Sequence, residues 1–265
     1  MRRSQQVSPL MWLLIAAVST FTVAPIIVSI LAGLVNNYSE GLASGLTTRW
    51  IEDVWAGYGD TVITSLAIAW GCVCVTLVIG VPCGYALARS RSAMARNFEE
   101  ALTLPVAIPG LASALALLLA YGSVTQFRQS FAFILIGHVV FTLPFMVRMV
   151  ASAFRRHELV ALEEAARSLG ASFRQRFLGV LIPAVLPSIV AACLMVFTLS
   201  MGEFNLTWML HTPLTRTLPV GLADSYASMR IEVGSAYTII FLIVILPVMW
   251  LLQAIGHFIE KHYGN

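Results

Sequence analysis

Long apolar runs recur along this chain, and they constrain its fold more than any other feature. Each is about 20 residues or longer, and roughly 20 helical residues cross a 30 Å hydrocarbon core at 1.5 Å per residue. Six runs are read as spans: Leu10–Leu34, Thr61–Ala88, Leu104–Gly122, Phe131–Val150, Val180–Met201 and Ala236–Phe258. Backbone in lipid must satisfy its own hydrogen bonds, so all six are predicted to be helices. Hydrophobic residues make up 58% of the chain and charged ones 11%, and mean hydropathy is +0.84. Soluble chains carry about 25% charge. A soluble fold of this length is therefore excluded, and one all-α membrane domain over residues 1–265 is expected.

Arg2 and Arg3 precede the first run in the manner of a signal peptide. The run is too long for one and has no small-x-small cleavage site at its end. It is read as a retained span.

Positive charge orients the spans. One side of the predicted topology holds Arg2, Arg3, Arg89, Arg91, Arg96, Arg148, Arg155, Arg156, Arg167, Arg174, Arg176 and Lys261. The other holds Arg49, Arg128, Arg216 and Arg230. This bias places both termini in the cytoplasm. The segment Val35–Asp60 is then external, as is the polar stretch His211–Glu232.

The chain has no phosphate-cradling G-x-x-x-x-G-K-[ST] loop, and its loops leave no room for a nucleotide-binding domain. No internal repeat is evident. The four cysteines lie inside apolar runs without a C-x-x-C pair, which suits packing. No metal set is expected. Gly80 and Gly84 form a G-x-x-x-G that lets another helix approach closely. Seven prolines inside spans, Pro105, Pro109 and Pro187 among them, favour bent helices.

The longest cytoplasmic loop, about residues 151–179, predicts a helix–turn–helix. In HELVALEEAARSLG the residues have high helix propensity, and Gly170 can take the left-handed conformation that ends the helix. Ser172 and Gln175 form a capping box that starts the next helix. Leu162, Ala165, Ala166 and Leu169 fall on one face, where small alanines admit a close partner. Glu163, Glu164 and Arg167 offer polar contacts at its edge.

Glu164-Ala165-Ala166, three residues, Gly170, nine residues, Val180, one residue, Ile182 and Pro183 resemble a family signature. It is the E-A-A-x3-G-x9-I-x-L-P pattern of binding-protein-dependent ABC importer permeases. Val180 and Ile182 stand where the pattern has Ile and Leu. The resemblance implies a type I importer permease fold: six transmembrane helices with a coupling helix between the fourth and fifth. It implies that Glu163, Glu164, Ala165, Ala166, Arg167, Leu169, Gly170 and Pro183 couple the chain to an ATPase. Two cytoplasmic ATPase subunits would carry ATP and Mg, and this chain would bind no cofactor and catalyse nothing. A second, different permease chain and an extracytoplasmic binding protein would complete the importer of a bacterial inner membrane, with no nucleic-acid partner. The stretch GEFNLTWMLHTP…TLPVGL looks most like the polyamine and aminophosphonate subgroup, with iron, thiamine and oxyanion importers as the alternative.

Two polar sites interrupt the apolar runs. Ser200, Glu203, Phe204 and Asn205 lie at the end of the fifth span, and His138 lies in the fourth. A carboxylate in lipid costs a few kcal/mol, so Glu203 is expected to face a cavity or a partner. It lines the translocation path or sits at the external interface. His138 hydrogen-bonds between helices or contacts substrate. A secondary transporter would show paired broken helices in two similar halves, and an intramembrane enzyme would gather catalytic groups at one depth. Neither pattern is evident.

Overall fold

The computed structural model describes residues 9–263. Arg2 and Arg3 lie outside the described residues. In chain order the helices are α1 (Pro9–Ala32), α2 (Arg49–Tyr58), α3 (Asp60–Arg89), α4 (Ala93–Ala101), α5 (Leu104–Ala107), α6 (Gly110–Tyr121) and α7 (Thr125–Arg128). There follow α8 (Phe131–Phe154), α9 (His157–Ser168), α10 (Phe173–Arg176), α11 (Ile182–Gly202), α12 (Asn205–Leu210), α13 (Leu218–Ala227) and α14 (Ile231–Tyr263).

Among the described residues, five stretches are long and apolar enough to cross a bilayer, and a bent helix pair makes a sixth if its two arms count as one span. The sequence predicts a span over Leu104–Gly122 with Pro105 and Pro109 inside it, and there Ala93–Ala107 and Gly110–Tyr121 meet at an angle of 103°. Pro109 has no N–H to give and disfavours helical backbone at the residue before it. Ile108 is accordingly extended, with φ −86° and ψ 135°. The predicted fifth span, Val180–Met201, begins earlier, because α10 runs through a π-helical turn over Phe177–Leu181 into α11.

The contacts divide the chain into two compact units, Met1–Gly59 with Gly221–Leu242, and Asp60–Val220 with Ile243–Asn265. In the first unit, Gly33 packs on the backbone of Ser235 and Ala236, so a Cβ there would lie 2.9 Å from Ala236 N. The Tyr38 amide donates to Glu232 Oε1 at 2.8 Å, and the Trp50 indole donates to the Val35 carbonyl at 2.9 Å. None of the apolar window of α1 is buried.

The second unit is built on α3, α8 and α11. Gly80 and Gly84 make the α3–α8 approach possible. A Cβ on Gly80 would stand 2.6 Å from Met146 Cγ, and one on Gly84 would stand 3.1 Å from the Ala151 nitrogen. The G-x-x-x-G therefore serves packing within the chain. Met146, Val147, Val150 and Phe154 on α8 are buried, as are Ile68, Cys72 and Thr76 on α3 and Val185, Val196 and Phe197 on α11.

Candidate functional site

Helix α9 stands on the second unit as a short amphipathic rod. Glu158 in its first turn and Arg167 in its last complement the helix dipole. The helix stops where the sequence predicts. The Gly170 and Ala171 amides fold back onto the Arg167 and Ala166 carbonyls at 3.0 and 3.1 Å. Gly170 has φ +79°, a left-handed conformation that a side chain strains. The Ser172–Gln175 capping box then forms in full, with Ser172 N donating to Gln175 Oε1 at 2.8 Å.

The two faces of α9 differ. Leu159 is buried and Glu163 is half-buried against the core. Glu164, Ala165, Arg167 and Gly170 are exposed, Ala166 is half-buried, and Leu169 is 88% exposed. Leu162 is also exposed. The small-residue face is therefore open. The sequence puts Glu163 at the rim of that face, whereas the structure turns it inward. Residues two apart in a helix point about 200° apart, so Glu163 and Ala165 cannot share a side. Pro183 is half-buried near the start of α11, after the buried Leu181.

Glu163 meets partners the sequence does not reveal. Tyr85 Oη donates to Glu163 Oε1 and Arg89 Nε to Oε2, both at 2.6 Å. Arg89 Nη1 donates to the Phe154 carbonyl at 2.6 Å. Tyr85 stands among Phe154, Phe173 and Phe177, with ring centroids 5.4, 5.8 and 5.1 Å away. Burial alone would push the pKa of Glu163 up. The hydrogen bonds from Tyr85 and Arg89 and the charges of Arg89 and Arg176 outweigh it, so the carboxyl titrates below its ordinary range. Arg89 and Tyr85 end a long apolar run, and there the sequence shows only a topogenic charge and an interfacial aromatic residue.

The second constellation lies where α11 breaks. Glu203 is extended and accepts from the Leu206 and Thr207 amides, both at 2.9 Å. Those amides belong to the first turn of α12, where helix N–H groups lack intrahelical partners. Thr207 Oγ1 also lies 2.9 Å from Glu203 Oε2. His138 is buried and bridges two elements, with Nδ1 2.8 Å from Ser200 Oγ and Nε2 2.8 Å from Thr207 Oγ1. Thr142 Oγ1 donates to the His138 carbonyl and stands 3.0 Å from Cys72 Sγ. His138 thus hydrogen-bonds between helices, and Glu203 has a partner, two of the readings the sequence admits. Thr207, Thr142 and Cys72 are additions, since a lone hydroxyl or thiol in an apolar run carries no pattern.

Both helix breaks meet at this point. A Cβ on Gly110, the first residue of α6, would lie 3.0 Å from Asn205 Cβ and 3.5 Å from Glu203 Oε1. Asn205 is exposed, and Phe204 rests on Trp208 with ring centroids 5.3 Å apart. An apolar cavity of about 360 Å³ lies alongside, lined by Leu104, Ile108, Ala116, Leu117, Phe141 and Leu206 among others. Its walls suit an alkyl surface rather than a polar solute.

Comparison with known proteins gives a consistent picture. The family described as binding-protein-dependent transport system inner membrane component matches residues 80–261. The chain is 27% identical over 243 residues to a Salmonella choleraesuis protein named as a 2-aminoethylphosphonate transport system permease, PhnV, covering 91% of each chain. It is 24% identical over 209 residues to the putrescine transport system permease protein PotI of Escherichia coli, covering 76% of this chain and 74% of that one. Among solved structures, a bacterial ABC transporter involved in import of the acidic polysaccharide alginate superposes with a TM-score of 0.71 at 18% identity. That match covers 95% of this chain and 99% of that one, and shows the shared fold.

Proposed function

The chain belongs to the family of binding-protein-dependent transport system inner membrane components, and from that membership we propose that α9 is where a separate ATPase drives it. The protein is a multi-pass permease subunit of an ABC importer and is not itself an enzyme. In our reading both termini are cytoplasmic, as the Lys and Arg bias requires. Two cytoplasmic ATPase subunits carry ATP and Mg. One of them receives the open face of α9.

The exposed Leu169, beside exposed Ala165 and Glu164 on a helix ended by left-handed Gly170, carries this reading. An apolar side chain 88% exposed on a short polar helix suits a cleft in a partner. Ala165 and Ala166 permit close seating, Glu164 and Arg167 offer polar contacts to the ATPase at the rim, and Gly170 and Pro183 shape the joint to α11. Closure of the ATPase pair on ATP would draw two such helices together and tilt the permease halves from inward- to outward-facing.

A second, different permease chain completes the path, and an extracytoplasmic binding protein delivers a small polar solute. The names of the relatives favour an aminophosphonate or a polyamine over iron, thiamine or an oxyanion. Ser200, Glu203, Phe204, Asn205 and His138 flank the path where α11 breaks, with exposed Asn205 facing it.

Replacing Ala165 with Trp, or Gly170 with Pro, leaves membrane insertion intact and removes stimulation of ATP hydrolysis by the binding protein in proteoliposomes. Wild-type stimulation in both variants rejects the docking role of α9. Glu203→Gln changes uptake more than assembly, and equal uptake at equal expression removes Glu203 from the path.

A further inference from the structure

Docking alone does not explain how a push on α9 reaches the membrane helices. The turn of α9 that offers Ala165 to the outside offers Glu163 to the inside. Arg167, four residues on, is the usual helical partner for a glutamate. Glu163 instead pairs with Arg89 from the last turn of α3, 74 positions away in sequence. That guanidinium also holds the Phe154 carbonyl in the last turn of α8. One side chain thus joins the end of α3, the end of α8 and the middle of α9. Tyr85, one turn back on α3, closes the other carboxylate oxygen. The pair is shielded, with Arg89 22% and Glu163 12% exposed, and the Arg89 guanidinium lies over the Tyr85 ring, 5.5 Å from its centroid.

We propose that Glu163, Arg89 and Tyr85 form a latch that makes α9 rigid with the ends of α3 and α8, so that displacement of α9 is delivered to these two helices rather than absorbed at its termini. The inference rests on the docking of α9 to an ATPase. Glu163, Arg89 and Tyr85 are positioning residues and touch neither nucleotide nor solute. Lysine cannot replace Arg89, because a point charge does not supply Nε and Nη1 in the fixed fork that spans Glu163 and Phe154.

The test uses the whole importer with its cognate ATPase and binding protein in proteoliposomes. Solute imported per ATP hydrolysed is measured for wild type, Glu163→Gln, Arg89→Lys and Tyr85→Phe. Each also carries Ala165→Cys, and cross-linking to the ATPase reports docking separately. The latch predicts normal cross-linking, with the import ratio down roughly fivefold in Glu163→Gln and Arg89→Lys. Tyr85→Phe keeps the ion pair and the ring cluster, so its ratio falls less. A wild-type ratio in Glu163→Gln with cross-linking intact overturns the latch and leaves docking standing. Cross-linking lost only in Glu163→Gln makes Glu163 a docking residue and also overturns it. Absence of cross-linking in the parent removes the docking reading, and the latch with it.

Discussion

Two glutamates, Glu163 and Glu203, each fasten a short helix to the same three-helix core, and they do so by opposite means. Glu163 reaches across the chain to a guanidinium and a phenol. Glu203 reaches only three and four residues ahead, to two backbone amides and the Thr207 hydroxyl. The difference follows from where each lies. At the ends of α3 and α8 a full positive charge is tolerable, because a long arginine can keep part of itself near water. At the break in an apolar span a second formal charge would add to the cost of the first. A helix N-terminus offers unpaired N–H groups and partial positive charge without bringing in an ion. The first tie is between distant elements and the second is local. Cutting the first should free α9 from its neighbours. Cutting the second loosens one turn of α12, which His138 still holds through Thr207.

The sharpest way to break this comparison is Arg89→Ala. It leaves Glu163 shielded without its cation and the Phe154 carbonyl without its donor. A loss of about 3 kcal/mol is expected, read as a lower denaturation midpoint of the detergent-solubilised protein. A loss as small as that of an exposed ion pair would mean that the latch is solvated after all. Glu203→Gln should cost less, about 1 to 2 kcal/mol, because the amide keeps one acceptor oxygen and sets an NH₂ against the other backbone N–H. If Glu203→Gln proves the more damaging, the local cap matters more than the long-range tie, and the contrast is reversed.

Acid tests the first tie through a smaller effect. Glu163 titrates below the ordinary value of 4.5 in the folded protein. Its contribution is therefore fully present above the ordinary carboxylate range and is lost as pH falls through the lower folded value. The midpoint of the wild type should fall more steeply below pH 4.5 than that of Glu163→Gln. Parallel curves would show that Glu163 gains nothing from its charge.

Much of this architecture could be read from the chain, for reasons that also mark where reading stops. Long apolar runs specify membrane helices through length alone. Gly170 and the Ser172–Gln175 pair specify a stop and a start through local chemistry, and both take the expected form. The 103° bend at Ile108–Pro109 was legible only as a proline, because proline fixes its own backbone but not the angle between its flanks. Helical periodicity sorts residues onto faces but does not say which face is covered. Leu162, Ala165 and Leu169 were legible as one face, whereas the inward turn of Glu163 depends on Arg89 arriving from another helix. His138 was legible as an intramembrane hydrogen-bonding group. Its partners Ser200 and Thr207 lie 62 and 69 residues away, beyond any local pattern.

A third carboxylate supplies a control for the other two. Glu99 on α4 pairs with Arg155, which follows the Phe154 that Arg89 holds, with Nη1 2.9 Å from Oε1. The residue types match those of the latch, yet the Arg155 side chain is 45% exposed against 22% for Arg89. Exposed pairs gain little, because water competes for both ions and holding two long side chains costs entropy. Glu99→Gln is therefore expected to cost no more than about 1 kcal/mol. The difference from wild type should shrink further as salt is raised, since exposed charges are screened within roughly 8 Å at physiological ionic strength. The loss in Arg89→Ala should persist in the same salt series, because its partner carboxylate is only 12% exposed. Equal salt sensitivity in the two variants would place both pairs in the same solvent and remove burial as the reason that one of them can bear load.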